Sequence, residues 1–116
     1  MKLFQWYPGR QDSGYDKMLL FISTRFRFDF YLLKFPKGIG VPTHKDKVEN
    51  GFNHHRVNFT WNGPYYTGTR MYVLGKAKRF WRFIYFRPDQ YEHGLAPVIE
   101  DTYMLSLGWL TKSKSS

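Results

Sequence analysis

Strict alternation of apolar and polar positions runs through most of this chain. Arg25 to Leu33 sets Phe26, Phe28, Phe30 and Leu32 on one face and Arg27, Asp29, Tyr31 and Leu33 on the other, the period of a half-buried strand. His55 to Trp61 repeats the pattern, with Val57, Phe59 and Trp61 opposite Arg56, Asn58 and Thr60. Arg79 to Phe86 sets Phe80, Arg82, Ile84 and Phe86 opposite Trp81, Phe83 and Tyr85. Tyr65 to Leu74 reads as a further strand, and Tyr103 to Trp109 as the last. Pro36, Gly38 and Gly40, then Asn50-Gly51, Asn62-Gly63-Pro64 and Gly75 punctuate these runs as turns. One stretch breaks the period. Asp12 to Thr24 predicts a short helix capped near Asp12 or Ser13 that packs Met18, Leu19 and Ile22 against a sheet. Short strands joined by Gly and Pro turns predict an all-β sandwich or jelly roll.

Composition narrows this picture. With 116 residues, 42% hydrophobic and 21% aromatic, the chain predicts one packed domain. The expected division is an N-terminal extension over 1–25, a β core over 26–110 and a polar, frayed tail over 111–116. The absence of cysteine excludes disulfides and thiolate metal sites, so a metal must use His, Asp or Glu. The first residues lack the apolar stretch of a signal peptide, and no run has the length of a membrane span.

His44-Lys45-Asp46 is the candidate chemistry, together with the distant His93. In extended backbone, residues i and i+2 point to the same side, so His44 and Asp46 offer two ligands to one point. His93, from another strand, completes a two-histidine, one-carboxylate face that leaves the opposite coordination positions open. Such donors suit Fe(II), Mn(II) or Zn(II), and an open trio without thiolate favours iron for oxygen chemistry; the plainer alternative is a chance His-x-Asp with both side chains solvated in a loop. His54 and His55 are rival ligands, and strand alternation sends them to opposite faces, one toward the site rim and one to the surface.

The flanking residues strengthen this reading. The segments Tyr31-Leu-Leu-Lys-Phe-Pro-Lys-Gly38-Ile-Gly-Val-Pro-Thr-His44-Lys-Asp46 and Phe86-Arg-Pro-Asp-Gln-Tyr-Glu-His93-Gly-Leu-Ala-Pro97-Val98 resemble strands of the 2-oxoglutarate and Fe(II)-dependent oxygenases. Those enzymes have the double-stranded β-helix fold. The resemblance covers Phe26 to Leu110 and implies a dioxygenase of hydroxylase or demethylase type, with His44, Asp46 and His93 holding Fe(II). An iron(II) site suits a reducing, cytoplasmic setting.

The resemblance also implies a basic residue for the distal carboxylate of 2-oxoglutarate. Most members carry an arginine there, in a Pro-Val-x-x-Gly-x-Arg-Tyr pattern. This chain reads Pro97-Val-Ile-Glu-Asp-Thr-Tyr103-Met, so the arginine position falls on Thr102. Other branches take the basic residue from a strand after His-x-Asp. Arg56 is then the first choice and Arg82 the second, followed by Lys34, with Tyr31 and Asn58 as hydrogen-bonding partners. Arg56 and Arg82 read equally well as outward-facing sheet charges.

The formal charge of +9 turns attention to polyanions. Lys76, Lys78, Arg79, Lys112 and Lys114 fall near loops or the tail. Tyr65, Tyr66, Tyr72 and Trp81 would stack on bases if exposed, whereas Tyr72 and Trp81 read more readily as core. The second functional reading is therefore a basic β-roll that has lost oxygenase activity and binds nucleic acid or a partner protein.

Overall fold

Ten strands and no helix make up the computed structural model, which describes residues 2–9, 13–48, 50–60 and 71–112. They are β1 (Trp6–Pro8), β2 (Asp16–Ser23), β3 (Phe28–Phe35), β4 (Val41–His44), β5 (Phe52–Thr60), β6 (Met71–Val73), β7 (Ala77–Phe80), β8 (Phe83–Phe86), β9 (His93–Leu95) and β10 (Thr102–Lys112). All pair antiparallel, in a seven-stranded sheet of order β1-β2-β3-β10-β5-β8-β7 and a three-stranded sheet of order β4-β9-β6. The core includes Phe35, Ile84, Phe86 and Met104 from the large sheet, Met71 and Leu95 from the small one, and Tyr15 and Val98 from loops. This is the expected all-β jelly roll. No helix among the described residues is long and apolar enough to cross a membrane.

Where a helix was expected over Asp12–Thr24, the described residues Asp16–Ser23 form strand β2. Residues Asp16 to Ser23 pair with β3 along its length, and a register shift falls between Leu19 and Phe21. That irregularity breaks the period of two, which is why the apolar positions mimic helical spacing. Of the three residues assigned to a helical face, Leu19 is buried but Ile22 is exposed. Tertiary pairing outweighs a weak local preference here.

Two strand boundaries also differ. Arg25 to Arg27 form a turn before β3, with Arg27 in the left-handed region at φ 54°. The run Arg79–Phe86 is a hairpin rather than one strand. Phe80 pairs with Phe83 around Trp81-Arg82, and Trp81 takes φ 52°. A two-residue turn needs positive φ to match strand twist, a role usually filled by Gly or Asn. With an aromatic there, the turn carries no sequence signal. At the other end β10 continues through Thr111 and Lys112, paired with Asn53 and Phe52, where a frayed tail was expected. The Asn62-Gly63-Pro64 turn and most of the Tyr65–Leu74 strand lie outside the described residues.

Alternation places Asp29, Tyr31, Leu33 and Phe35 of β3, Arg56 and Asn58 of β5, and Met104 and Ser106 of β10 on the inner face, lining a cavity of about 260 Å³. The small sheet closes the other side of that cavity with Val41, His44, His93 and Leu95.

Candidate metal centre

Local irregularity in β4 aims the first histidine. Val41 pairs with Leu95 and His44 with His93, so β4 spends three steps where β9 spends two. A one-residue slip exchanges the faces of a strand. Without it Thr43 would stand opposite His93; with it His44 does. Asp46 follows past the strand end, where its backbone N–H donates to Pro88 O at 2.9 Å. His44, Asp46 and His93 thereby each present a ligand atom within 4.8 Å of the others. His93 is buried, against the Phe86 ring, while His44 and Asp46 are half-buried.

The hydrogen bonds around the imidazoles fix their tautomers. His44 Nδ1 lies 2.8 Å from Pro42 O, and His93 Nδ1 lies 3.0 Å from Tyr91 O. A carbonyl only accepts, so each Nδ1 carries a proton, which leaves Nε2 as the nitrogen that could ligate a metal. Metal-binding histidines are usually held this way. His44 Nε2 sits 3.3 Å from Asp46 Oδ1. Two imidazole nitrogens and one carboxylate, open on the cavity side, could hold a divalent ion such as Fe(II), Mn(II) or Zn(II).

Across the cavity lies a polar network. Arg56 Nη2 donates to Asp29 Oδ1 and Nη1 to Ser106 Oγ, both at 2.8 Å. Ser106 Oγ donates to Asn58 Oδ1, and Asn58 Nδ2 reaches Met71 Sδ. Tyr31 lines the same space, with Lys17 Nζ 5.9 Å from its ring centre. Burial, then the Asp29 carboxylate, push the Tyr31 hydroxyl above the ordinary tyrosine range, against the opposing Arg56 charge. It stays protonated and can donate.

The other sequence candidates are placed as follows. Arg56, Asn58 and Tyr31 line the cavity, but Arg82 does not. Arg82 occupies the β7–β8 turn, with its guanidinium toward Thr60 O and the Trp81 ring. Its inward position in a continuous strand is lost because that strand is a hairpin. Thr102 is fully buried and donates to Glu100 O, so the expected arginine position carries no cation. Lys34 pairs in register with Tyr103 and Asp16 on the outer face.

His54 sits beside Arg56, its Nε2 3.3 Å from the guanidinium. Burial and then the Arg56 charge lower its pKa, although Asp46, Asp29 and Asp89 oppose this. His55 faces the other way and bonds Tyr85 Oη at 2.6 Å and Thr111 Oγ1 at 2.9 Å. Trp81, expected in the core, is exposed, and Tyr72 is half-buried with its hydroxyl bonded to Thr43. Tyr65, Tyr66 and Lys114 lie outside the described residues.

Lys17, Asp29 and Ser106 are cavity residues that the sequence reading missed. Asp29 carried a signal: an acid on the face of Tyr31, in a strand whose other face was wholly apolar. Lys17 carried none, because its segment read as helix.

No protein-family model matches this chain, and no curated protein matches it in sequence. Solved structures do resemble it in fold. An RmlC-like cupin from Shewanella frigidimarina NCIMB 400 superposes with a TM-score of 0.60 at 15% identity, covering 96% of this chain and 87% of its own. A cupin-2 domain from Rhodospirillum rubrum gives 0.60 at 12% identity, covering 95% and 72%. A chain in the structure of Rhodobacter sphaeroides SigE in complex with the anti-sigma ChrR gives 0.54 at 14% identity, covering 89% and 48%. The fold is therefore a cupin-type jelly roll, a double-stranded β-helix.

Proposed function

We propose that this chain is a metal-dependent oxygenase that uses Fe(II) and 2-oxoglutarate at the mouth of its β-roll. The observation that carries the reading is the convergence of the trio: both imidazoles are anchored through Nδ1, His44 turns Nε2 toward the Asp46 carboxylate, and all three residues offer a ligand atom within 4.8 Å of the others. His44, Asp46 and His93 would hold the ion. Fe(II) and 2-oxoglutarate, when bound, would supply with O2 the hydroxylation of a C–H bond, one oxygen atom going to the substrate and the other to succinate as CO2 is released. The chain's own part is to orient and to shield. Tyr31 donates a hydrogen bond into the cavity, and Lys17 adds a cation for a carboxylate. Phe86, Leu33, Val41 and Leu95 limit water on the metal side.

A second reading draws on two specific observations. Thr102 is buried without charge, and the Arg56 fork is already engaged by Asp29 and Ser106. Both favour a β-roll that holds a metal without taking 2-oxoglutarate and acts as a basic binding module. Anaerobic calorimetry separates the readings. The enzyme reading expects Fe(II) binding, 2-oxoglutarate binding that depends on Fe(II), and succinate formed on admitting O2. Metal binding with no 2-oxoglutarate binding selects the module. No metal binding at all removes the first reading.

A further inference from the structure

We infer that the β7–β8 hairpin docks this chain on an anionic lipid bilayer. Residues Lys76 to Phe83 hold four cations, three aromatics and no acid. Register turns Lys78 and Phe80 of β7 to the same side as Tyr85 and Phe83 of β8, away from the buried Ile84 and Phe86. The aromatic side chains at the tip are open: Phe80 is 77% exposed, Trp81 57% and Phe83 40%. Lys76 and Lys78 are exposed behind them.

Edge protection explains only the lysines. β7 ends the seven-stranded sheet, and cations on an edge strand discourage pairing with another chain. The aromatics need another reason. Trp81 takes φ 52° in a two-residue turn, a conformation that suits Gly or Asn and strains an aromatic residue. Its ring centre lies 5.8 Å from that of Phe59 and 6.2 Å from that of Phe83, so the indole borders these rings while more than half of it faces solvent. The turn accepts a disfavoured backbone to hold a large apolar side chain outside the core.

Spacing and charge select the occupant. Two residues of strand advance ~7 Å, so Lys78 stands that far behind Phe80, with Lys76 farther back. Apolar side chains of membrane-surface elements sink ~5–10 Å into the boundary between headgroups and acyl chains. With the aromatic tip at that depth, Lys78 falls at the level of the headgroup phosphates. The Arg82 guanidinium lies 5.8 Å from the centre of the Trp81 ring, which sets a cation on the amphipathic side chain that favours this boundary. The net charge of +9 adds attraction toward a negative leaflet. Nucleic acid would ask for something else. Successive bases stack on ring faces presented along a charged groove. Phe59, Trp81 and Phe83 instead meet at interplanar angles between 44° and 58°, a tilted cluster that offers no row of platforms.

Co-sedimentation of the full chain with sucrose-loaded vesicles tests this. The wild type should bind vesicles of three parts phosphatidylcholine to one part phosphatidylserine, and several-fold less to phosphatidylcholine alone. Trp81→Gly suits the left-handed turn, so it should keep its β circular dichroism and lose several-fold in bound fraction. A second measurement does not depend on that variant folding. Vesicles with brominated acyl chains should quench the tryptophan fluorescence of the wild type. They should quench Trp81→Phe markedly less, although its tip stays apolar and still binds. A wild type that binds neither vesicle, or both equally, overturns the proposal. So does a folded Trp81→Gly that binds like the wild type, or a Trp81→Phe quenched as strongly as the wild type. Binding of a single-stranded oligonucleotide that depends on Trp81, without vesicle binding, assigns the hairpin to nucleic acid and likewise overturns it.

Discussion

Arg56 reaches Asp29 by lying across Gly108. In register, Gly108 of β10 is flanked by Arg56 of β5 on one side and Asp29 of β3 on the other. A Cβ at position 108 would fall 2.1 Å from Arg56 Nη2. The missing side chain is the channel through which the guanidinium spans a strand. Gly108→Ala should therefore displace the guanidinium and break the pair. Both partners are partly buried, and the loss should be about 1–3 kcal/mol. Adding Asp29→Ala should then cost little more, since neighbouring effects on one pair do not add. Urea unfolding of the two singles and the double measures this.

The metal trio gives the second prediction. His44→Ala, Asp46→Ala and His93→Ala should each weaken Fe(II) or Mn(II) binding by more than the roughly 10–100-fold typical of losing an outer partner. Arg82→Ala, out on the hairpin turn, should leave affinity unchanged. Anaerobic calorimetry reads all four. If His93→Ala binds as tightly as the wild type, the centre is not built on these residues.

Close backbone approach at Gly40 supplies a third. A Cβ there would lie 2.2 Å from Leu95 O and 2.9 Å from Pro97 N, atoms that cannot swing aside. Gly40→Ala should push β4 off β9, at about 1–3 kcal/mol for overpacking. Because β4 carries His44, metal affinity should fall along with thermal stability.

The outer-face histidine sets a pH dependence. Burial, then the Arg87 charge, lower the His55 pKa below 6.5, with Asp89 opposing. The unfolded chain then binds more protons than the folded one between the two values. Stability contributed by neutral His55 is full above about pH 6.5 and is lost as pH falls toward the folded value. His54 is shifted the same way and adds to the slope. His55→Gln should flatten the decline in stability below pH 6.5 without abolishing it, as measured by denaturant midpoints across pH 5–8.

Exposed Lys76 and Lys78 beside the β7–β8 hairpin give the last expectation. If the basic surface binds oligonucleotides, affinity should fall steeply between low and moderate salt, because phosphate contacts release counterions. Binding that ignores salt, or none at low salt, leaves the +9 charge without this role. Fluorescence anisotropy with single-stranded and duplex probes decides it.

Local chemistry made much of this legible. Alternation in β3, β5 and β10 marks strands wherever it is read, because a period of two is a property of extended backbone. Gly38, Gly40 and Asn50-Gly51 mark turns for an equally local reason, and Gly38 and Gly51 do take positive φ. The pairing of His44 with Asp46 followed from the same i, i+2 geometry. What the sequence left open was which face of each strand turns inward. Apolarity alone would bury Phe28, Phe30, Leu105 and Leu107. The closed roll instead turns Asp29, Tyr31, Arg56, Asn58 and Ser106 inside, where they satisfy one another across three strands. That choice depends on partners distant in sequence, so no window along the chain contains it. The same holds for β2, whose bulge only makes sense against β3, and for the slip in β4 that brings His44 rather than Thr43 to His93. The side-chain types of the candidate centre were written in the sequence; their convergence was decided by strand register.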